Sequence, residues 1–88
     1  MAYELVFTKR AERQLDSLDR SDASNIVRWL DKNVRCCEDP RPRGRLLTGN
    51  KSGYWRYRVG KYRIICVIKD DEMLVVAITV GKRDNVHE

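Results

Sequence analysis

The sequence predicts an α+β fold in which two helices from the amino-terminal half pack on a small, largely antiparallel, twisted sheet, in the order β-α-α-β-β-β. Three observations predict it. Apolar residues recur at helical spacing only between Thr8 and Val34, strand-like runs fall at the amino terminus and after Tyr54, and 88 residues suffice for one modest core. Residues 1–88 are therefore expected to form a single domain.

Residues 3–7 read as a short strand with imperfect alternation. Thr8 can cap the helix that follows, where Ala11, Leu15 and Leu18 share a face at spacings of four and three. A turn over residues 19–21 leads into a second helix, capped by Ser21 or Asp22, with Ala23, Ile26, Val27, Leu30 and Val34 as its apolar stripe. A connection this short implies an antiparallel helix pair. Over residues 36–52 the periodicity disappears and Pro40, Pro42, Gly44 and Gly49 punctuate a basic stretch, which reads as loop. Three strands follow, over residues 54–59, 62–68 and 73–80, with Asp70, Asp71 and Glu72 turning the chain between the last two. The last run is nearly all apolar, as expected of a central strand covered on both faces. There is no internal repeat or low-complexity tract.

Composition bounds the function. Apolar residues at 42% and charged residues at 35% describe a folded chain with a heavily ionised surface. No segment approaches the roughly 20 apolar residues that span a bilayer, and no signal-peptide-like stretch opens the chain, so the cytoplasm is the expected compartment and no membrane partner is expected. Three cysteines, Cys36, Cys37 and Cys66, give an odd count whose adjacent pair suits no ordinary structural disulfide. Cys66 is expected in the core and the other two carry no evident chemistry. The only histidine, His87, lies far along the chain from the cysteine pair, so no metal-ligand spacing emerges.

The net charge of +5 is unevenly distributed. Residues 1–40 carry seven Lys/Arg and eight Asp/Glu (−1), residues 41–69 nine and none (+9), and residues 70–88 two and five (−3). An acid-free run with nine cations suits a polyanion such as nucleic acid, or an acidic protein; the alternative is a solvated basic surface.

Strand geometry then places the arginines. Gly60-Lys61 fits a two-residue type II′ hairpin, with glycine first where φ must be positive. Val59 then faces Tyr62, and Arg58 faces Arg63. With period two, Arg56, Arg58 and Arg63 emerge on one face, while Trp55, Tyr57, Val59, Tyr62, Ile64 and Cys66 share the other. Like charges at paired positions repel, so stability does not call for Arg58 opposite Arg63. A phosphate between the guanidinium groups would convert that repulsion into charge-assisted hydrogen bonds. The alternatives are splaying into water or pairing with carboxylates from the helices. At the carboxyl end, Arg83 follows Gly81, and His87 is either part of a frayed polar terminus or a group that donates, accepts or stacks beside the arginines.

The run Tyr54-Trp55-Arg56-Tyr57-Arg58-Val59-Gly60-x-Tyr62-Arg63, followed by Val80-Gly81-Lys82-Arg83, resembles the RelE/ParE superfamily of toxins from bacterial and archaeal toxin–antitoxin pairs. Leu46-Leu47-Thr48-Gly49 is similar to the stretch before that family's second strand, and the order of elements extends the resemblance over nearly the whole chain. The resemblance implies a RelE-like fold. Its RelE branch implies a metal-independent endoribonuclease that needs no cofactor and cleaves messenger RNA in the ribosomal A site, where the ribose 2′-hydroxyl attacks the adjacent phosphate to leave a 2′,3′-cyclic phosphate and a 5′-hydroxyl.

Carried over by motif, Arg56 and Arg58 match the basic pair, Arg63 the arginine of the next strand, and Arg83 the arginine after the last. His87 stands where many members place a tyrosine. These five are the expected catalytic residues, with Arg43, Arg45, Lys51, Lys61 and Lys82 as the surrounding RNA-binding surface. The chain departs from the best-known RelE enzymes in carrying arginine where they carry lysine. Arginine is a poor general base, so Arg58 is cast as a phosphate clamp, and His87, which titrates near neutrality, can move the proton instead. The implied partners are a cognate antitoxin, in a toxin–antitoxin hetero-oligomer, and the ribosomal A site with its message. A ParE-like poison of DNA gyrase and a non-catalytic basic nucleic-acid-binding domain are the alternatives.

Overall fold

The computed structural model describes residues 2–47 and 53–82. Its elements are β1 (Glu4–Phe7), α1 (Lys9–Asp16), α2 (Arg20–Asn33), β2 (Gly44–Leu46), β3 (Trp55–Val59), β4 (Tyr62–Lys69) and β5 (Leu74–Gly81), with a 3₁₀ turn over Asp70–Glu72. The five strands form one mixed sheet in the order β1-β5-β4-β3-β2. β1 runs parallel to β5 and every other pair is antiparallel.

The α+β architecture matches the sequence reading, but there is one strand more than β-α-α-β-β-β allows. β2 lies inside the stretch read as loop. It is three residues long and carries no detectable period, and it forms because β3 offers it a ladder: Gly44 pairs with Tyr57, Arg45 with Arg56 and Leu46 with Trp55. Gly44 is required there, since a Cβ would collide with the Trp55 indole nitrogen and the Arg56 carbonyl.

Local chemistry explains the helix ends. The Thr8 hydroxyl accepts from the Ala11 amide at 3.1 Å, capping α1 as expected. α2 starts earlier than either cap proposed for it, because the Asp19 carboxylate accepts from the Ser21 amide and hydroxyl at 3.2 and 2.8 Å. Three residues within four positions could cap, and the Asp19 carboxylate takes both donors.

Both helices cover one face of the sheet. Leu5, Ala11, Leu15, Ile26, Leu30, Val34, Tyr57, Ile64, Cys66, Val75 and Ala77 form the core between them, with Tyr57, Ile64 and Cys66 fully shielded. Trp29 of α2 meets Tyr57 at 5.8 Å between ring centroids. The Tyr57 hydroxyl is buried and donates to the Pro40 carbonyl, tying the segment before β2 to the core. Burial pushes the Tyr57 phenol and the Cys66 thiol well above their ordinary ranges, so both stay neutral.

β5 is central in the sheet, yet it is not covered on both faces as expected. Val75 and Ala77 are buried while Leu74, Val76 and Ile78 are only half-buried, because among the described residues no helix lies on their side. A register shift between Ile65 and Cys66 moves the pairing from Thr79 to Ala77 and leaves Ile78 as the extra residue. Beyond the end of β1, the Gln14 side chain accepts from the Val80 amide at 2.7 Å, closing an otherwise open sheet edge. Among the described residues, no helix is long and apolar enough to cross a membrane.

Candidate nucleic-acid interface

The hairpin forms with the expected register. Val59 pairs with Tyr62, Arg58 with Arg63, Tyr57 with Ile64 and Arg56 with Ile65. Gly60 has φ +59° and Lys61 is not in the left-handed region, which is the signature of a type II′ turn. Alternation then sends Tyr57, Val59, Tyr62, Ile64 and Cys66 into the core and Arg56, Arg58 and Arg63 to the open face. β2 adds a relation the sequence did not reveal: Arg45 is the direct partner of Arg56, so a second like-charge pair stands beside Arg58 and Arg63. Four guanidinium groups from three neighbouring strands thus share one face.

Arg43, Gly44, Arg45, Arg56 and Arg58 line a shallow depression of about 350 Å³ together with Pro42. Among the described residues, two carboxylates form ion pairs, Asp31 with Arg35 and Asp70 with Arg41, and Arg43, Arg45 and Arg58 take part in neither. Arg63 donates from its terminal nitrogen to the Lys82 carbonyl at 3.0 Å, which holds it beside the point where the chain leaves β5. The arginine side is not purely polar, because Ile65, across from Arg56, and Thr79, across from Ile65, are both buried there.

The remaining expected site residues divide. Lys82 is exposed just after β5. Lys61 sits at the hairpin tip with its ammonium 5.8 Å from the Tyr62 ring centroid, on the helix side and not among the arginines, drawn there by the electron-rich ring. Lys51, Arg83 and His87 lie outside the described residues.

One cation of the acid-free run is structural. Arg41 forms a two-pronged bond to Asp70 at 2.9 and 2.8 Å, and the Tyr3 hydroxyl donates to the same carboxylate at 2.7 Å. The Arg41 hydrogen bond, with help from Tyr3, holds the Asp70 carboxyl below its usual range. Arg41 also lies 5.8 Å from the Trp55 ring centroid, so it staples the segment before β2 to the β4–β5 turn. Asp70 is 29 residues further along, and no local pattern links the two. Cys66 is buried as expected, while Cys36 is exposed and Cys37 half-buried. Among the described residues, no group of three His, Cys, Asp or Glu side chains converges as a metal site would require.

Comparison with known proteins decides the family. The model of the ParE toxin of type II toxin–antitoxin systems matches residues 5–86. The chain belongs to the RelE/ParE superfamily of type II toxin–antitoxin toxins. A RelE-like toxin protein of Escherichia coli is 26% identical over 85 residues, covering 96% of this toxin and 86% of that protein. Among solved structures, the RelBE2 toxin–antitoxin complex of Mycobacterium tuberculosis aligns with a TM-score of 0.83 at 27% identity, covering 94% of this toxin and 93% of that chain. A double arginine-to-alanine variant of E. coli RelE bound to an antitoxin peptide aligns with a TM-score of 0.75 at 26% identity, covering 96% and 86%.

Proposed function

We propose that this toxin is a RelE-like, ribosome-dependent endoribonuclease that cuts messenger RNA in the A site and so stops translation. The observation that carries the reading is the pairing of Arg58 with Arg63 and of Arg45 with Arg56 on the open face. Like charges at paired strand positions repel, and a phosphate lying between them would turn that repulsion into charge-assisted hydrogen bonds. In this role Arg45 and Arg58 clamp the phosphates, and Arg56, Arg63 and Arg83 meet the charge that develops on the phosphorane. The 2′-oxygen forms its bond to phosphorus as it loses its proton, and the P–O5′ bond breaks as the 5′-oxygen gains one. His87 is the group suited to move these protons, since a guanidinium offers no acceptor site for one. Arg43, Lys51 and Lys82 extend the surface along the RNA. The chemistry needs no metal or cofactor.

A cognate antitoxin is the second partner, as in the RelBE2 and E. coli RelE complexes. An acidic, amphipathic segment suits the cationic face. The match to the ParE toxin model favours one other reading, a poison of DNA gyrase acting by protein contact. Primer extension on translated message with purified toxin separates the two. Discrete A-site cuts ending in 2′,3′-cyclic phosphate are expected; an uncut message at high toxin-to-ribosome ratio, with gyrase-linked DNA breaks instead, would replace the first reading with the second.

A further inference from the structure

A second basic surface lies on the helix side. Asn25, Arg28, Trp29, Lys32 and Asn33 of α2 and Arg43 from the segment before β2 line a groove of about 510 Å³. The α2 residues recur at spacings of three and four, so they form one stripe, and Arg28 and Lys32 stand a single turn apart. Like charges at that spacing destabilise a helix slightly. No carboxylate lines the groove. The acids of α2 are engaged elsewhere: Asp22 accepts from the Tyr62 hydroxyl at 2.8 Å, and Asp31 pairs with Arg35 at 2.9 Å. Among the described residues, Arg28, Lys32 and Arg43 form no ion pair. Arg43 also lines the depression on the open face, so the two basic surfaces meet at this residue.

We propose that the α2 groove binds a second segment of RNA backbone, so that one strand runs from the open face of the sheet, around the β2 edge past Arg43, and along α2. The proposal rests on the RNA reading of the open face and extends it. Arg28 and Lys32 supply the phosphate contacts, and the Asn25 amide can bond to sugar and base edges, while the Asn33 amide nitrogen donates back to the Trp29 carbonyl at 3.0 Å and leaves its oxygen to accept. A single strand has the flexibility to turn this corner.

The test uses the purified full chain and fluorescent oligoribonucleotides with 2′-O-methyl groups, which bind but cannot be cut by 2′-hydroxyl attack. Lengths of about 4 and about 16 nucleotides bracket the site sizes of single-strand-binding surfaces. The double variant Arg28→Ser/Lys32→Ser is expected to leave the short probe's affinity unchanged, to weaken the long one, and to flatten its salt slope by about 1.4, two contacts at about 0.7 each. The charge-keeping variant Arg28→Lys/Lys32→Arg should bind both as the wild type does, and both variants should stay folded, with wild-type far-ultraviolet circular dichroism. Wild-type affinity and salt slope for the long probe in the serine variant overturn the proposal and leave the open-face reading standing. Loss of antitoxin affinity alone in that variant also overturns it, since the groove then docks an acidic protein. If the variant Arg45→Ser/Arg58→Ser binds both probes normally, the open-face reading is what fails.

Discussion

Arg58 and Arg63 are direct cross-strand partners on the open face of the β3–β4 hairpin. Like charges at paired strand positions repel, and a bound phosphate would convert that repulsion into charge-assisted hydrogen bonds, so loss of Arg58 should move activity and stability in opposite directions. Arg58→Ala is expected to lower single-turnover cleavage of ribosome-bound message by about 10²–10³-fold, the usual cost of one electrostatic stabiliser. Its calorimetric stability should hold or rise by about 0.2–1 kcal/mol. Unchanged cleavage would take Arg58 out of the site.

His87 is the one group in the proposed centre with a neutral-pH proton to give or take. His87→Ala should slow the chemical step by about 10²–10⁴-fold while ribosome binding stays at the wild-type level. Single-turnover kinetics set against a binding isotherm make the comparison. A parallel loss of both would assign His87 to docking.

Two glycines hold the arginine face in register. Gly60 adopts φ +59°, and Gly60→Val should cost about 1–3 kcal/mol of unfolding free energy. At Gly44 the obstacle is space, since a methyl group meets the Trp55 indole and the Arg56 carbonyl. Gly44→Ala should cost a similar amount, about 1–3 kcal/mol, and should lower activity by displacing Arg45 from Arg56. Urea denaturation and the cleavage assay together test both.

The buried bond from the Tyr57 hydroxyl to the Pro40 carbonyl anchors the segment before β2. Tyr57→Phe leaves that carbonyl without its partner and should cost about 1–3 kcal/mol. The urea midpoint should fall with an unchanged slope, because the core's extent is the same.

The Asp70 carboxyl titrates below its usual 3.8 in the folded chain because Arg41 and Tyr3 bond to its charged form. A depressed carboxyl contributes stability above its unfolded value and loses it as pH falls through the folded one. The thermal midpoint should therefore drop on acidification below about pH 4. In Asp70→Asn the neutral midpoint should be lower and that part of the acid slope absent. An identical acid limb in both proteins would show that the staple contributes nothing.

The arrangement of the hairpin arginines was legible because its geometry is local. Period two fixes which side chains share a face, and Gly60 fixes where the hairpin reverses, so the partnership of Arg58 with Arg63 needed nothing distant. Thr8 announced its cap for the same reason. The cap of α2 was misread because Asp19, Ser21 and Asp22 compete within four residues, and only the hydrogen bonds decide among them. β2 escaped because three residues carry no period, and the ladder that stabilises them is nine or more positions away in β3. The partnership of Arg45 with Arg56 escaped with it.

By itself, the sequence determined the α+β class, the two helices, the hairpin register and the concentration of cations in the middle of the chain. These follow from periodicity, turn chemistry and charge, which act over a few residues. Only the tertiary structure decided that Arg41 is tied to Asp70 across the fold, that Lys61 turns to the helix side, and that Arg43 joins two basic surfaces. Those outcomes depend on which distant groups the packed core brings within bonding distance, and such pairings leave no trace in local order.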